Sequence, residues 1–311
     1  MNIAIIGGSG FIGTYTTREL ISYDHNVTII DTNIPDSIFT DKEMESINRI
    51  KCNALNFSNL KASLSDKSID AVYMLAAISD SKENHNDIQH AVNTNIMCLT
   101  NTLKAMEELN IPRIIFSSTV WVYSVCKNDV VDEMSDLSIS DSDHIYTTCK
   151  LTCESIIKNY CSVRNIDYTI LRYGIAYGPG CHPDTVLSKF INNALTGVPL
   201  TITGNGLTYR NFLYVTDHAR GNRLALSDKA KNQIINLDGP DKITLFDVVN
   251  RVTELSDKSY NVTVNHMDRR KGDYNGKTVN NNKSKEILNW IPSVDFLTGS
   301  ENLYNFIKNE K

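Results

Sequence analysis

Met1-Asn2-Ile3-Ala4-Ile5-Ile6-Gly7-Gly8-Ser9-Gly10-Phe11-Ile12-Gly13 opens the chain, and this stretch decides the fold class. Residues 2–6 read as a short buried strand, and 10–21 read as a helix entered through glycines. A second apolar strand, 27–30, ends on Asp31. Two glycine spacings are satisfied together, G-x-G-x-x-G at Gly8, Gly10 and Gly13 and G-x-x-G-x-x-G at Gly7, Gly10 and Gly13. In a strand-turn-helix context the first glycine permits a tight turn, Gly10 lets a pyrophosphate approach the helix N-terminus, and Gly13 lets helix and sheet pack closely. Asp31 stands where a carboxylate accepts hydrogen bonds from the adenosine ribose hydroxyls. A carboxylate there repels a 2′-phosphate, and Thr32, Asn33, Ile34 and Pro35 supply no arginine, so NAD is expected rather than NADP.

Outward from this unit, apolar runs at 71–76, 113–117 and 168–172 alternate with helical stretches at 88–108 and 146–162. Strand alternating with helix at this spacing predicts an α/β fold, a Rossmann-type doubly wound parallel sheet covered on both faces. After Arg172 the texture changes. Nine glycines and prolines between Gly174 and Gly206 predict the loops of a smaller, mixed, substrate-binding C-terminal domain. The expected division is 1–172 for the dinucleotide-binding domain, with a later contribution from about 211–238, and 173–210 with 239–311 for the second. Helices are expected over 244–255 and 282–288.

Composition narrows the function. The 311 residues carry 31 Lys plus Arg against 36 Asp plus Glu, a net charge of −5 with no basic block, which argues against nucleic acid or an anionic membrane as partner. No apolar run approaches the roughly 18–20 residues of a spanning helix, and Met1 runs into glycines without a basic leader, so a cytoplasmic protein is expected. Cys52, Cys98, Cys126, Cys149, Cys153, Cys161 and Cys181 form an odd set without a CxxC spacing, which predicts reduced thiols. His85, His90 and His144 lack zinc spacing, so no metal site is expected. Trp121, Tyr123 and Tyr160 are expected in the core.

Tyr146-Thr147-Thr148-Cys149-Lys150 places a phenol and an ammonium four residues apart, on one face if the stretch is helical. A tyrosine acting as a base must fall from a pKa near 10 toward neutrality, a differential stabilisation of about 4 kcal/mol. A lysine and a positively charged nicotinamide can supply it, and removing a sugar hydroxyl proton while hydride leaves carbon is the chemistry that suits the pair. Phe116-Ser117-Ser118-Thr119 ends the strand beside the expected cofactor, on the edge where open α/β sheets bind ligands.

Together these residues resemble the extended short-chain dehydrogenase/reductase family, in its NAD-dependent nucleotide-sugar epimerase/dehydratase branch. GGSGFIG at 7–13, LAA at 75–77, Asn95 and Asn101, FSSTVWVY at 116–123, YTTCK at 146–150 and LRYGIAYGPG at 171–180 fall in the family's order. So do GVPLTITGNGLTYRNFLYVTDHARG at 197–221, RKGD at 270–273 and KSKEILNWIP at 283–292. The resemblance implies Tyr146 as catalytic acid/base, Lys150 as its pKa-lowering partner and ribose ligand, and Thr119 as the third member of the triad. For the cofactor it implies Gly7, Gly10, Phe11, Ile12, Gly13 and Asp31. It adds Asn53 and Ala54 near the adenine, then Leu75, Ala76, Ala77, Asn95, Ser117 and Tyr173. For the substrate it implies Ser79, Val120, Ile175 and Val186, with Arg210 and Arg270 on the diphosphate, a task the guanidinium fork suits. Relatives also imply a homodimer.

Three departures from the family involve four positions. Val120 and Trp121 replace the Asp-Glu pair that dehydratases use to move protons, so dehydration is not expected, nor is a decarboxylation that uses the same Glu. Ile175 replaces an Asn that many relatives place on the sugar diphosphate, and Asn53 replaces an Asp. The expectation is an epimerase acting at sugar C4 by transient oxidation: Tyr146 takes the hydroxyl proton, hydride passes to NAD, and it returns to the other face of the reoriented ketosugar. The alternatives are an NAD(P)H-dependent 4-ketosugar reductase and a non-catalytic dinucleotide sensor on the same fold.

Overall fold

A computed structural model describes residues 1–65, 68–79, 86–142, 144–256, 263–268 and 276–310. Seven strands build the central sheet: β1 (Asn2–Ile6), β2 (Asn26–Asp31), β3 (Ile47–Lys51), β4 (Ala71–Met74), β5 (Arg113–Thr119), β6 (Asp167–Tyr173) and β7 (Gln233–Leu237). Their order is β7-β6-β5-β4-β1-β2-β3, and every neighbouring pair is parallel. The strand order reverses between β1 and β4, so the ligand crevice opens at the carboxyl ends of those strands.

The inner strands are apolar on both faces because both are covered. Val72, Met74, Ile114 and Phe116 pack with helices α2 (Cys98–Leu109) and α3 (Ile145–Arg164) through Leu99, Leu103 and Ile157. On the other face Ile3, Ile5, Ile29, Tyr73 and Ile115 pack with Leu20 of helix α1 (Phe11–Ile21). Strand β3 and the helix Phe57–Ser65 add to the elements expected from sequence; in β3 only Ile47 is fully buried, so the apolar signal is weak at that edge.

The single helix expected over 88–108 is interrupted. Helix Ile88–Val92 passes into a π-helical turn, Asn93–Met97, before α2 begins. Such a turn is wider than an α-turn and marks a place where backbone geometry is bent to a task. Here it carries Asn95, whose amide brackets Ile78 in the loop after β4, accepting from its N–H at 3.0 Å and donating to its carbonyl at 3.1 Å.

Beyond β6, strands Ile175–Tyr177, Tyr209–Tyr214 and Lys242–Thr244 form a small mixed sheet. Tyr177, Phe212 and Tyr214 pack there with helices Val186–Thr196, Leu245–Leu255 and Phe296–Asn309. The glycine-rich 174–206 stretch thus holds a strand, a helix and a further strand, Leu200–Thr203, besides its loops. Packing does not follow chain order at the end. Helix Asn282–Leu288 and Trp290 turn back onto the central sheet, where Leu288 and Trp290 join the core under β7. Among the described residues no helix is long and apolar enough to cross a membrane, and all seven cysteines are free thiols.

Candidate active site

A cleft of about 930 Å³ runs along the carboxyl edge of the sheet. At one end the glycine loop forms its floor. Gly7 has φ +86°, and a Cβ there would lie 2.5 Å from the Ala76 backbone nitrogen. A Cβ on Gly13 would collide with the Gly7 carbonyl oxygen, so α1 rests directly on the loop. A Cβ on Gly10 would meet only the Gly7 carbonyl oxygen, at 3.4 Å, because that face opens to the cleft. Gly10 caps α1 without a side-chain hydrogen bond, and no acidic residue stands in the first turn. The first N–H groups of the helix therefore have neither an internal partner nor a protein carboxylate, the electrostatics an anionic group requires.

Around that floor stand Phe11, Ile12, Asp31, Asn53 and Ala54. Asp31 accepts from the N–H groups of Thr32 at 2.8 Å and Ser9 at 3.2 Å, which fixes its carboxylate at the cleft edge. Asn53 accepts from the Leu55 N–H at 2.9 Å, while Asn101 donates to the Ala54 and Leu55 carbonyls and holds this loop from behind. Leu75, Ala76, Ala77 and Ser79 continue the wall. Asn95 is not part of it: the amide is buried and committed to Ile78, so the residue positions the 75–79 loop from behind the surface. An uncapped helix start, a cradle without side chains and a carboxylate edge fit a dinucleotide with an unphosphorylated ribose.

The middle of the cleft holds Ser117, Thr119, Tyr146 and Tyr173. Thr119 pairs in register with Tyr173 at the ends of β5 and β6. Its hydroxyl oxygen accepts the Trp121 N–H at 3.2 Å, which leaves the hydroxyl proton to point at a substrate oxygen. Tyr146 and Lys150 share one face of α3. Lys150 is buried beneath the cleft surface, donating from Nζ to the Ser117 carbonyl at 2.6 Å, with Nζ 4.7 Å from the Phe116 ring centre and 5.6 Å from that of Tyr146. Burial lowers its pKa to about 8. Burial also raises the Tyr146 phenol above its ordinary range, with the Cys153 and Cys149 thiols adding to the effect. With protein groups alone around it Tyr146 is a neutral phenol, so a base at this position depends on added positive charge.

Behind these residues lies a buried network that the sequence patterns do not announce. Glu154, one turn beyond Lys150, accepts from Ser118 Oγ at 2.5 Å and from Arg172 at 3.0 and 2.7 Å. Arg172 also donates to the Tyr123 hydroxyl at 2.8 Å, which in turn donates to Asn236 at 2.8 Å. The ion pair is 3% exposed on both sides and ties β5, β6, β7 and α3 together immediately under Thr119. The spacing Tyr146, Lys150, Glu154 is the signal that could have found it.

Ile175 also lines the cleft. Val120 is buried beside Thr119, and Val186, at the start of its helix, is 38% exposed and off the cleft wall. Arg210 also stands off the wall, with one guanidinium nitrogen donating to the Tyr209 carbonyl at 2.8 Å. Arg270 and His85 lie outside the described residues. Trp121 packs against the buried cluster of Val122, Tyr123 and Leu151, as expected, and also lines the cleft, its ring 5.4 Å from that of His144. Tyr123 is fully buried as expected. His90, His144, Cys181, His182, Asp184 and Thr185 also reach the cleft, and no sequence motif marks them as ligand contacts. No group of His, Cys, Asp and Glu among the described residues could hold a metal ion.

Comparison with known proteins agrees with this geometry. The model of the NAD dependent epimerase/dehydratase family matches residues 3–238. Over 310 residues the chain is 28% identical to an uncharacterized UDP-glucose epimerase of Bacillus subtilis (strain 168), covering 97% of this chain and 96% of that one. A crystal structure of UDP-glucuronic acid 4-epimerase from Bacillus cereus, in complex with UDP-glucuronic acid and NAD, is similar with a TM-score of 0.89 at 28% identity, covering 100% of both chains. A UDP-N-acetylglucosamine 4-epimerase from Methanobrevibacter ruminantium M1, in complex with UDP-N-acetylmuramic acid, gives a TM-score of 0.89 at 26% identity over 100% of this chain and 99% of that one. With a glycine cradle, the Asp31 carboxylate, Thr119 and Tyr146 on one cleft and Lys150 beneath it, the chain belongs to the NAD-dependent epimerase/dehydratase family of extended short-chain dehydrogenases/reductases.

Proposed function

We propose that the protein is a UDP-sugar 4-epimerase that keeps its NAD through the catalytic cycle. The observation that carries this is the composition of the cleft around Tyr146: Thr119 and Tyr146 line it, Lys150 lies directly beneath, and Val120 and Trp121 give the neighbouring positions no group able to transfer a proton. Named 4-epimerases of similar fold, which act on UDP-linked sugars, support the nucleotide and the position.

In this reading Thr119 and Tyr146 grip the C4 oxygen. The Thr119 hydroxyl, anchored by the Trp121 N–H, donates to that oxygen, and Tyr146 removes its proton. Lys150 stabilises the tyrosinate through its charge and loses that ability as pH rises above about 8. NAD held in the glycine cradle would supply the hydride acceptor and donor for C4. After the ketosugar turns over, Tyr146 gives the proton back to the new face. Gly7, Gly10, Phe11, Ile12 and Gly13 hold the pyrophosphate, Asp31 the ribose, and Asn53 with Ala54 the adenine. Leu75, Ala76, Ala77, Ser117 and Tyr173 enclose the nicotinamide half. Ser79 and Ile175 would border the sugar nucleotide; the family resemblance adds Val186 and, for the diphosphate, Arg210 and Arg270, of which the first two stand off the cleft wall and the third lies outside the described residues. A two-domain division near Arg172 and a cytoplasmic location, both expected from the sequence, and a homodimer, implied by the family resemblance, belong to the same proposal.

The test begins with denaturing fresh protein and quantifying released nucleotide by chromatography. Near-stoichiometric NAD, followed by redox-neutral conversion of a UDP-sugar to its 4-epimer by NMR, is the expected result. Protein that carries no NAD and consumes NADH or NADPH only with a ketosugar would overturn the epimerase in favour of a reductase. A single-protomer mass by light scattering at micromolar concentration would remove the dimer.

A further inference from the structure

We propose that Trp121 sets the substrate class of this cleft: its indole is the wall on which the sugar ring lies beside Tyr146, and it selects UDP-sugars with uncharged ring substituents over hexuronates. This inference rests on the proposed UDP-sugar reading and adds to it a choice among sugars.

Trp121 is two residues beyond Thr119, and its backbone is fixed by the hydrogen bond to that hydroxyl. The side chain is half-buried and lines the cleft. Its ring meets His144 edge-on at 5.4 Å and 70°, and His144 meets Tyr146 at 6.5 Å and 81°. Indole, imidazole and phenol thus form one continuous aromatic wall that includes the catalytic phenol. Ile175 adds an aliphatic side chain to the cleft, and the neighbouring Ser117 and Ser118 hydroxyls donate inward, to the Met74 carbonyl and to Glu154.

The face of an indole carries the negative side of its quadrupole. It attracts the weakly positive C–H edges of a pyranose and repels a carboxylate laid against it. A carboxylate drawn out of water also needs a cation or several donors to replace its hydration. None of the described residues lining the cleft is a lysine or arginine, and Asp184, on the same lining, is itself an acid. Attraction of the neutral sugar and rejection of the charged one therefore come from a single side chain, the two-sided logic of a specific site.

The same residue supplies the probe. The chain has two tryptophans. Trp290 is fully buried, donating from Nε1 to the Asp217 carbonyl at 3.0 Å, and does not line the cleft. A fluorescence response to the sugar part of a ligand therefore reports Trp121. NAD-loaded protein is titrated with UDP, UDP-glucose and UDP-glucuronate. UDP-glucose is expected to saturate the response at least about tenfold lower in concentration than UDP-glucuronate, and to show about 100-fold higher kcat/KM. Trp121→Thr should bring the two kcat/KM values within about tenfold, mainly by raising KM for UDP-glucose, while Trp121→Phe keeps the wild-type order. NAD content of each variant verifies that the fold is intact. Equal or better use of UDP-glucuronate by the wild type, or an unchanged ratio in Trp121→Thr, overturns the assignment. If neither sugar is epimerised but the order of binding holds, the 4-epimerase reading fails and the selectivity stands; epimerisation of both without preference gives the reverse.

Discussion

The two ends of the cleft are built from different materials. At the cofactor end, contact surfaces are mostly backbone: Gly7, Gly10 and Gly13 leave no side chain, and α1 begins without a cap. At the sugar end the surface is side chains drawn from distant segments, with Trp121, His144, Ile175 and Asp184 meeting across the cleft. A backbone site recognises what is common to a class of ligands and tolerates few changes of its own. A side-chain site can change its ligand by substitution while the machinery beside it stays in place. The division explains how a shared cofactor end can accompany different sugars in relatives of similar fold.

The largest effect should come at the boundary between the two ends. Tyr146→Phe removes the hydroxyl proposed to transfer the proton and is expected to lower kcat by about 10³-fold or more with NAD content unchanged. Turnover and released nucleotide, measured on one preparation, check it; parallel loss of both would make Tyr146 part of the cradle instead.

Next comes the support shared by both ends. Arg172→Met strands Glu154 as a buried carboxylate and should cost about 3–5 kcal/mol in denaturant unfolding. The double variant Glu154→Gln with Arg172→Met should recover part of that loss. If the single and double variants unfold alike, the charge pair is not what joins β5, β6 and α3.

Within the cradle, Gly13→Ala forces a methyl against the Gly7 carbonyl, backbone against backbone. The expected cost is about 1–3 kcal/mol, together with weaker NAD retention after gel filtration. A Gly13→Ala variant that retains NAD like the wild type would show that the loop can yield, and the contrast between the two ends would weaken.

The smallest effect is set by pH. Asp238 is buried against Gly174, beneath the cleft, and burial raises its pKa to about 7 from 3.8. Its contribution to stability is full below 3.8 and is lost as pH rises through 7, where the folded protein must finally bury a carboxylate. Asp238→Asn escapes that loss, and its advantage over the wild type should grow by about 1–3 kcal/mol between roughly pH 4 and pH 8. Thermal melts at the two pH values read the difference directly; a gap that stays constant would place the titration elsewhere.

What is legible in the sequence follows the same division. The glycine loop, Asp31 and the Tyr-Lys spacing can be read because each is a local pattern with one steric or chemical meaning. The sheet is legible from β1, β2, β4, β5 and β6, whose apolar runs need no context, whereas β3 alternates at an edge and carries no comparable signal. The family resemblance puts Asn95 among the cofactor contacts, but a π-helical turn carries it behind the wall. Apolarity places Trp121 against the core, where it packs, but does not show that the ring also faces the cleft. The Glu154–Arg172 pair is half legible: the Tyr146, Lys150, Glu154 spacing marks one partner, while Arg172 lies on a different element and meets it only through the sheet.

Helix α3 carries Tyr146, Lys150 and Glu154 on one stripe, so the phenol proposed to react, the ammonium proposed to assist it and the anchor of the surrounding strands share a single rotational phase. Each residue advances a helix by about 100°. One residue inserted or deleted between Tyr146 and Glu154 would turn one end of the stripe away from the other, separating chemistry from support in a single step. The eight-residue interval is therefore fixed in length as strictly as in identity. Insertions that appear among descendants of this chain should fall outside it, in the loops before His144 and after Arg164.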